Sequence, residues 1–173
     1  MRLIKITFKD FQYLILTSII IFIISFIIGL FTSTQPKIDE DMLNVKFLLL
    51  LKNNLWAAIN LMSGLFTFGL FSILSLGFNG IIFGNAVMSS THFLTWHEIL
   101  LRVIPHGIFE IPGIVTSATI GLSPMKLIID LLKGKKIKFK YYFIQLFILS
   151  GVSVTLILIA AFIESYITDF FVR

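Results

Sequence analysis

Apolar residues run along this chain in blocks too long for the alternating faces of a water-soluble fold. The stretch Phe11–Phe31 carries no charge, and neither does Leu55–Ser89. Two further apolar blocks, about 99–122 and 142–165, hold only scattered ionisable groups. Roughly twenty apolar residues rising 1.5 Å each cross a bilayer core. The first block therefore predicts a membrane span at 11–31; it is longer than a signal-peptide core and no small-residue cleavage site follows it. Residues 42–54 mix Lys46, Lys52 and Asn53 with leucines and predict an interfacial segment, after a loop containing Asp39, Glu40 and Asp41. The block 55–89 is too long for one untilted helix and short for two full ones. Asn79-Gly80 interrupts it with a strong turn dipeptide, so spans are expected at 55–77 and 79–95, the second short enough to be a re-entrant hairpin.

Composition agrees with lipid as the solvent. Of 173 residues, 57% are hydrophobic and 13% charged, with 19 phenylalanines, and the mean hydropathy is +0.99. The absence of cysteine excludes disulfides, thiolate metal sites and cysteine nucleophiles. A net charge of +5 invites a nucleic-acid reading, but the basic residues flank apolar blocks and act as topology signals, which removes it. Arg2, Lys5 and Lys9 precede the first span; Lys126, Lys133, Lys135, Lys136, Lys138 and Lys140 crowd 123–140, before the last. Both groups belong in the cytoplasm, and four crossings between them satisfy that requirement. The expectation is an all-α polytopic membrane bundle of about five transmembrane helices. It forms one domain over 1–173, with a cytoplasmic N-terminus, a basic cytoplasmic loop 123–140 and spans at 11–31, 55–77, 79–95, 99–122 and 142–165. A multi-pass place in the cell membrane follows.

Small residues mark where helices meet in lipid. Gly77, Gly80 and Gly84 share one face if their helix is continuous, and Gly113, Ser117 and Gly121 form a ridge of period four on the fourth span. Contact within one subunit is the plain reading; a second copy of the chain or another membrane protein is the alternative.

Ionisable groups inside a span are costly and mark a function or an internal pairing. Glu98, Arg102, His106 and Glu110 recur every four residues, which lays them along one helical stripe; Arg102 is placed to pair with Glu98 and His106 to hydrogen-bond Glu110. Pro105 and Pro112 predict a kink there. Glu164, near the end of the fifth span, is expected at similar depth, toward the outer face. The polar cluster Asn79, Glu98, Arg102, His106, Glu110 and Glu164 has three readings: a structural tie, a partner, peptide or ion site, or an intramembrane enzyme. In the third, His106 and Glu110 supply two ligands to a divalent metal, with Glu164, Glu98 or His97 completing the set as ligand or base. A His-x-x-x-Glu spacing is a weak signal and no His-Glu-x-x-His occurs, so chemistry is not forced and no cofactor is required.

The segment LRVIPHGIFEIPGIVTSATIGL (101–122) resembles the signature of the stage II sporulation protein M family of integral membrane proteins. FNGIIFG (78–84), KNNLWAAI (52–59) and LIAAFIESYIT (158–168) are similar to its other segments. The resemblance implies a five-span membrane protein and carries over Asn79, His106, Gly107, Glu110, Pro112 and Glu164 without assigned roles. Sporulation members work in a peptidoglycan-remodelling complex during engulfment. Others accompany circular bacteriocins and assist maturation, export or immunity together with an ATPase; the short chain and the His-Gly-Glu-Pro motif are closer to these. The preferred expectation is a non-catalytic membrane subunit whose partners are lipid, other membrane proteins, a cytoplasmic ATPase and a small hydrophobic peptide. The alternative is a metal-dependent peptidase or peptide ligase/cyclase at His106 and Glu110. A transporter is disfavoured, since five spans leave no even inverted repeat.

Overall fold

A computed structural model of the chain describes residues 2–32 and 47–166, so the loop acids Asp39, Glu40 and Asp41, and the terminal Asp169 and Arg173, lie outside the described residues. The described residues form five α-helices and no strand: α1 (Arg2–Phe31), α2 (Phe47–Met62), α3 (Leu70–Ser90), α4 (Trp96–Leu132) and α5 (Phe139–Tyr166). Helix is the expected outcome for long apolar runs, because in lipid every backbone amide and carbonyl needs an internal partner. Helices α1, α3, α4 and α5 are long and apolar enough to cross a membrane. Helix α2, at 16 residues, is about 24 Å long and shorter than the rest.

The expected break at Asn79-Gly80 is not there. The chain reverses earlier, through a single 3₁₀ turn at Ser63–Phe66 and residues 67–69, with Phe68 at φ +51° and Gly69 at φ +88°. Gly69 is in the left-handed region that favours glycine, and its amide donates to the Gly64 carbonyl at 2.8 Å. Asn79 instead sits mid-helix in α3, where its Nδ2 donates back to the Ser75 carbonyl at 2.8 Å. Gly80 serves packing: a Cβ there would lie 2.6 Å from Ser25 Cβ and 2.9 Å from the Phe22 carbonyl oxygen of α1. Where spans were expected at 55–77 and 79–95, the helices run over 47–62 and 70–90, and of these the second is long and apolar enough to cross a membrane. The second of these is a full 21-residue helix rather than a hairpin, and Lys52 to Asn54 lie within α2 rather than in an interfacial lead.

Two further boundaries move. Helix α4 continues to Leu132, so most of the expected loop 123–140 is helical. Lys126 and Lys135 both bond the Asp130 carboxylate, at 2.6 and 2.7 Å, binding the helix end to the short connection before α5. Pro105, Pro112 and Pro124 all lie inside α4, which is helical from Trp96 to Leu132.

Successive helices alternate in direction. At one end Gln145 Nε2 donates to Asp10 Oδ2 at 2.6 Å, and Gly69 packs beside Leu122 and Met125. At the other, Asn85 Nδ2 donates to the Thr32 carbonyl at 3.1 Å and the Phe47 and Tyr166 rings lie 6.0 Å apart. The core is the middle of α4: every residue from Gly113 to Ser123 is buried, and α4 touches all four other helices. Small residues permit this closeness. The face Gly80–Gly84 of α3 packs on Ser25 and Gly29 of α1; Gly113 faces Ile157 of α5; Gly121 meets Leu61 and Ser72. Gly77 shares the α3 face but has room: a Cβ there would have Ser25 Oγ as its nearest neighbour, at 3.6 Å.

Candidate functional site

The helix arrangement gathers polar side chains that the sequence scatters over more than a hundred residues. Asn54 from α2, Asn79 from α3, His106 and Glu110 from α4, and Glu164 from α5 line one cavity of about 400 Å³, which Phe22 of α1 closes on a side. Each residue arrives for a local reason. Asn54, Ala58 and Leu61 occupy the buried face of α2 at helical spacing. Asn79 is one residue from the glycine face that seats α3 on α1, so close packing carries it inward. His106 and Glu110 are one turn apart on α4, and Glu164 follows the buried Ala160–Ala161 pair on α5.

His106 Nε2 and Glu110 Oε2 are 3.8 Å apart, which is ion-pair range and longer than a hydrogen bond. The hydrogen bond expected between them is therefore not made. The Glu164 carboxylate is near enough to act on the Glu110 charge, and neither acid forms an ion pair with lysine or arginine among the described residues. Two buried atoms of the cavity residues lack a good hydrogen bond within the protein. Asn54 Nδ2 makes none, and His106 Nδ1 interacts only weakly with the Arg102 backbone; the residues are 8% and 9% exposed. Buried polar atoms are normally partnered, and such exceptions concentrate where a ligand or water completes the set.

Not all of the predicted stripe joins the site. Glu98 closes a capping box at the start of α4. Its carboxylate accepts from the Thr95 amide and hydroxyl, both at 2.8 Å, while Thr95 Oγ1 accepts from the Glu98 amide at 3.4 Å. No ion pair joins Glu98 and Arg102 among the described residues. A carboxylate at the third helical position, three residues after threonine, satisfies the free amides of a helix start, which wins over a surface pairing. His97 is likewise absent from the cavity lining.

Asn53 and Asn54 also line the cavity. Sequence reasoning set them in an interfacial segment because Lys52 adjoins them. The signal that would have placed them is the 3.6-residue period of Asn54, Ala58 and Leu61. Metal chemistry finds only a partial donor set: among the described residues no three His, Asp or Glu side chains are grouped to hold an ion, and a catalytic zinc site uses three protein ligands.

A second space adjoins the first. An apolar groove of about 500 Å³ runs between α1 and α4, lined by Ile19, Ile23, Pro112 and Val115 among others. Phe22, Phe83 and Ile111 border both spaces.

Comparison with known proteins places these features in a family. The family described as stage II sporulation protein M matches residues 18–169, a range that takes in every cavity residue. An uncharacterised protein of Methanocaldococcus jannaschii is 36% identical over 167 aligned residues, covering 89% of this chain and 93% of its own. No solved structure matches the chain. With the motif-bearing helix and the polar cavity both inside the matched region, the chain belongs to the stage II sporulation protein M family.

Proposed function

We propose that the protein is a multi-pass cell-membrane subunit that recognises rather than transforms its ligand, working with other membrane proteins. In this reading it crosses the membrane five times, N-terminus in, and the cavity opens in the outer half. It serves the maturation, export or immunity of a small hydrophobic peptide such as a circular bacteriocin, or envelope remodelling. One observation carries the recognition reading: the cavity gathers amides, an imidazole and two carboxylates from four helices, and among the described residues no serine is hydrogen-bonded there to the imidazole or a carboxylate. The exposed Lys133, Lys136, Lys138 and Lys140 offer a basic face for a cytoplasmic partner such as an ATPase. The small-residue faces are largely occupied by contacts within the chain, which leaves that basic face as the better docking candidate.

The test is mild detergent extraction of the full chain from its native membrane followed by mass measurement of the intact species. A stoichiometric complex with a second protein, released when Lys136 and Lys138 are changed to glutamate, is expected. Recovery of the chain alone under every mild condition overturns the reading. The His106–Glu110 pair at 3.8 Å also supports an alternative, a metal-dependent peptidase or peptide ligase. That reading requires near-stoichiometric divalent metal in purified protein and its loss in His106→Ala; metal-free protein at neutral pH removes it.

A further inference from the structure

A polar chamber and an apolar trough lie side by side, as the two parts of an amphiphile do, with Phe22, Phe83 and Ile111 lining both. We propose that they bind one phospholipid with a primary ammonium headgroup, its head in the cavity and an acyl chain along the groove. The assignment rests on reading the cavity as a recognition site and names the ligand class.

The headgroup follows from charge and hydrogen-bond complementarity. Glu110 and Glu164 place two carboxylates in a low-dielectric chamber with one imidazole near them and no lysine or arginine partner among the described residues. Buried carboxylates call for a cation with N–H donors, and a primary ammonium has three. The unpartnered Asn54 Nδ2 is a donor. It calls for an acceptor in the same ligand, which a phosphodiester supplies. A volume of about 400 Å³ holds on the order of a dozen water-sized groups, enough for such a head.

The groove decides between a lipid tail and an extended peptide. Its one side-chain hydroxyl, that of Thr116, already donates to the Pro112 carbonyl at 2.7 Å. An extended peptide there would leave its amides and carbonyls without partners in lipid, whereas an acyl chain has none to satisfy. The exposed Ile19 and Ile23 at the rim put the groove in contact with the bilayer, so a chain enters laterally.

The experiment uses purified full-length protein in detergent, titrated with phosphatidylethanolamine or phosphatidylcholine of identical acyl chains and read by native mass spectrometry. One phosphatidylethanolamine per chain is expected, held about tenfold more tightly than the trimethylated lipid, which lacks N–H donors. E110Q and E164Q, nearly isosteric, are each expected to erase that preference, and Val115→Phe, which fills the groove, to weaken both lipids alike. Circular dichroism melting of each variant identifies any that fails to fold, in which case the other of E110Q and E164Q is read in its place; Asn54→Leu, which removes a donor to the phosphodiester common to both lipids, is expected to weaken both alike. Equal retention of the two lipids, or an undiminished preference in folded E110Q and E164Q, overturns the proposal. So does tight binding of a free-amine apolar peptide where neither lipid is held. Loss of the lipid preference with the partner complex still intact would remove this ligand and leave the subunit reading standing.

Discussion

Ser117 of α4 and Ser153 of α5 share a hydrogen bond of 2.6 Å in the fully buried centre of the bundle, and the Ser153 hydroxyl donates to the Gly113 carbonyl at 3.0 Å. The pair sits in the middle of the α4 ridge, where the backbones approach because Gly113 has no side chain against Ile157. In water such a bond would compete with solvent; in lipid the alternative is an unsatisfied hydroxyl. Ser153→Ala is expected to destabilise the bundle by about 1 kcal/mol, and Ser153→Leu by more through overpacking. Denaturant unfolding in micelles followed by circular dichroism measures both. Equal stability of wild type and Ser153→Leu would show that the two helices are not packed as described.

The α1–α3 contact makes an internally controlled prediction. A methyl group on Gly84 would overlap the Phe26 carbonyl, and one on Gly80 would crowd Ser25 and Phe22, whereas one on Gly77 meets Ser25 Oγ only at 3.6 Å. Gly84→Ala is expected to cost about 1–3 kcal/mol as the backbones separate, and Gly77→Ala to be neutral or slightly stabilising through helix propensity. Thermal unfolding of the two variants side by side reads the difference.

The reversal at 63–69 bears on which loops share a membrane face. Under the proposed five crossings with the N-terminus inside, residues 67–69 and 133–138 are expected to be cytoplasmic and 91–95 outside. The chain has no cysteine, so single cysteines can be introduced without background. Thr67→Cys and Lys136→Cys are expected to resist a membrane-impermeant maleimide in intact cells, and Phe93→Cys to react; Asn79→Cys, inside α3, should be slow from either side. Rapid labelling at position 79 would restore the break that its Asn-Gly dipeptide suggests.

The start of α4 has its own test. Thr95→Ala removes a hydroxyl that both accepts from the Glu98 amide and donates to the Glu98 carboxylate. The expected loss is about 0.5–2 kcal/mol, with fraying confined to the helix start, visible as faster amide exchange at residues 96–99. Arg102→Ala should leave this exchange unchanged, because Glu98 does not depend on Arg102 for a partner.

The helical, membrane-spanning character of the chain was legible in single residues and runs. Long apolar stretches have few physical solutions in lipid, and the period of four in Gly113, Ser117 and Gly121 pointed to a buried face before any neighbour was known. His106, Glu110 and Glu164 stood out because charge in such runs is costly. The dipeptide at 79–80 misled because a glycine has two uses. It permits a turn, and it permits a neighbouring helix to touch; which applies depends on α1, more than fifty residues away, and Gly69 made the turn instead. Glu98 misled similarly, as spacing to Arg102 says nothing about the competing Thr95 cap.

By itself, then, the sequence determined the solvent, the helix content, the approximate number of helices and the candidates for a polar cluster, since each of these depends on local composition and on periods of three to four residues. Only the tertiary structure decided that Asn54 belongs with His106, that Glu98 and Arg102 do not pair, and that an apolar groove borders the polar cavity. Those facts depend on how five helices are rotated about their axes. That rotation is set by many small interlocking contacts, such as Gly80 on Ser25 and Ser117 on Ser153, between residues far apart in the chain.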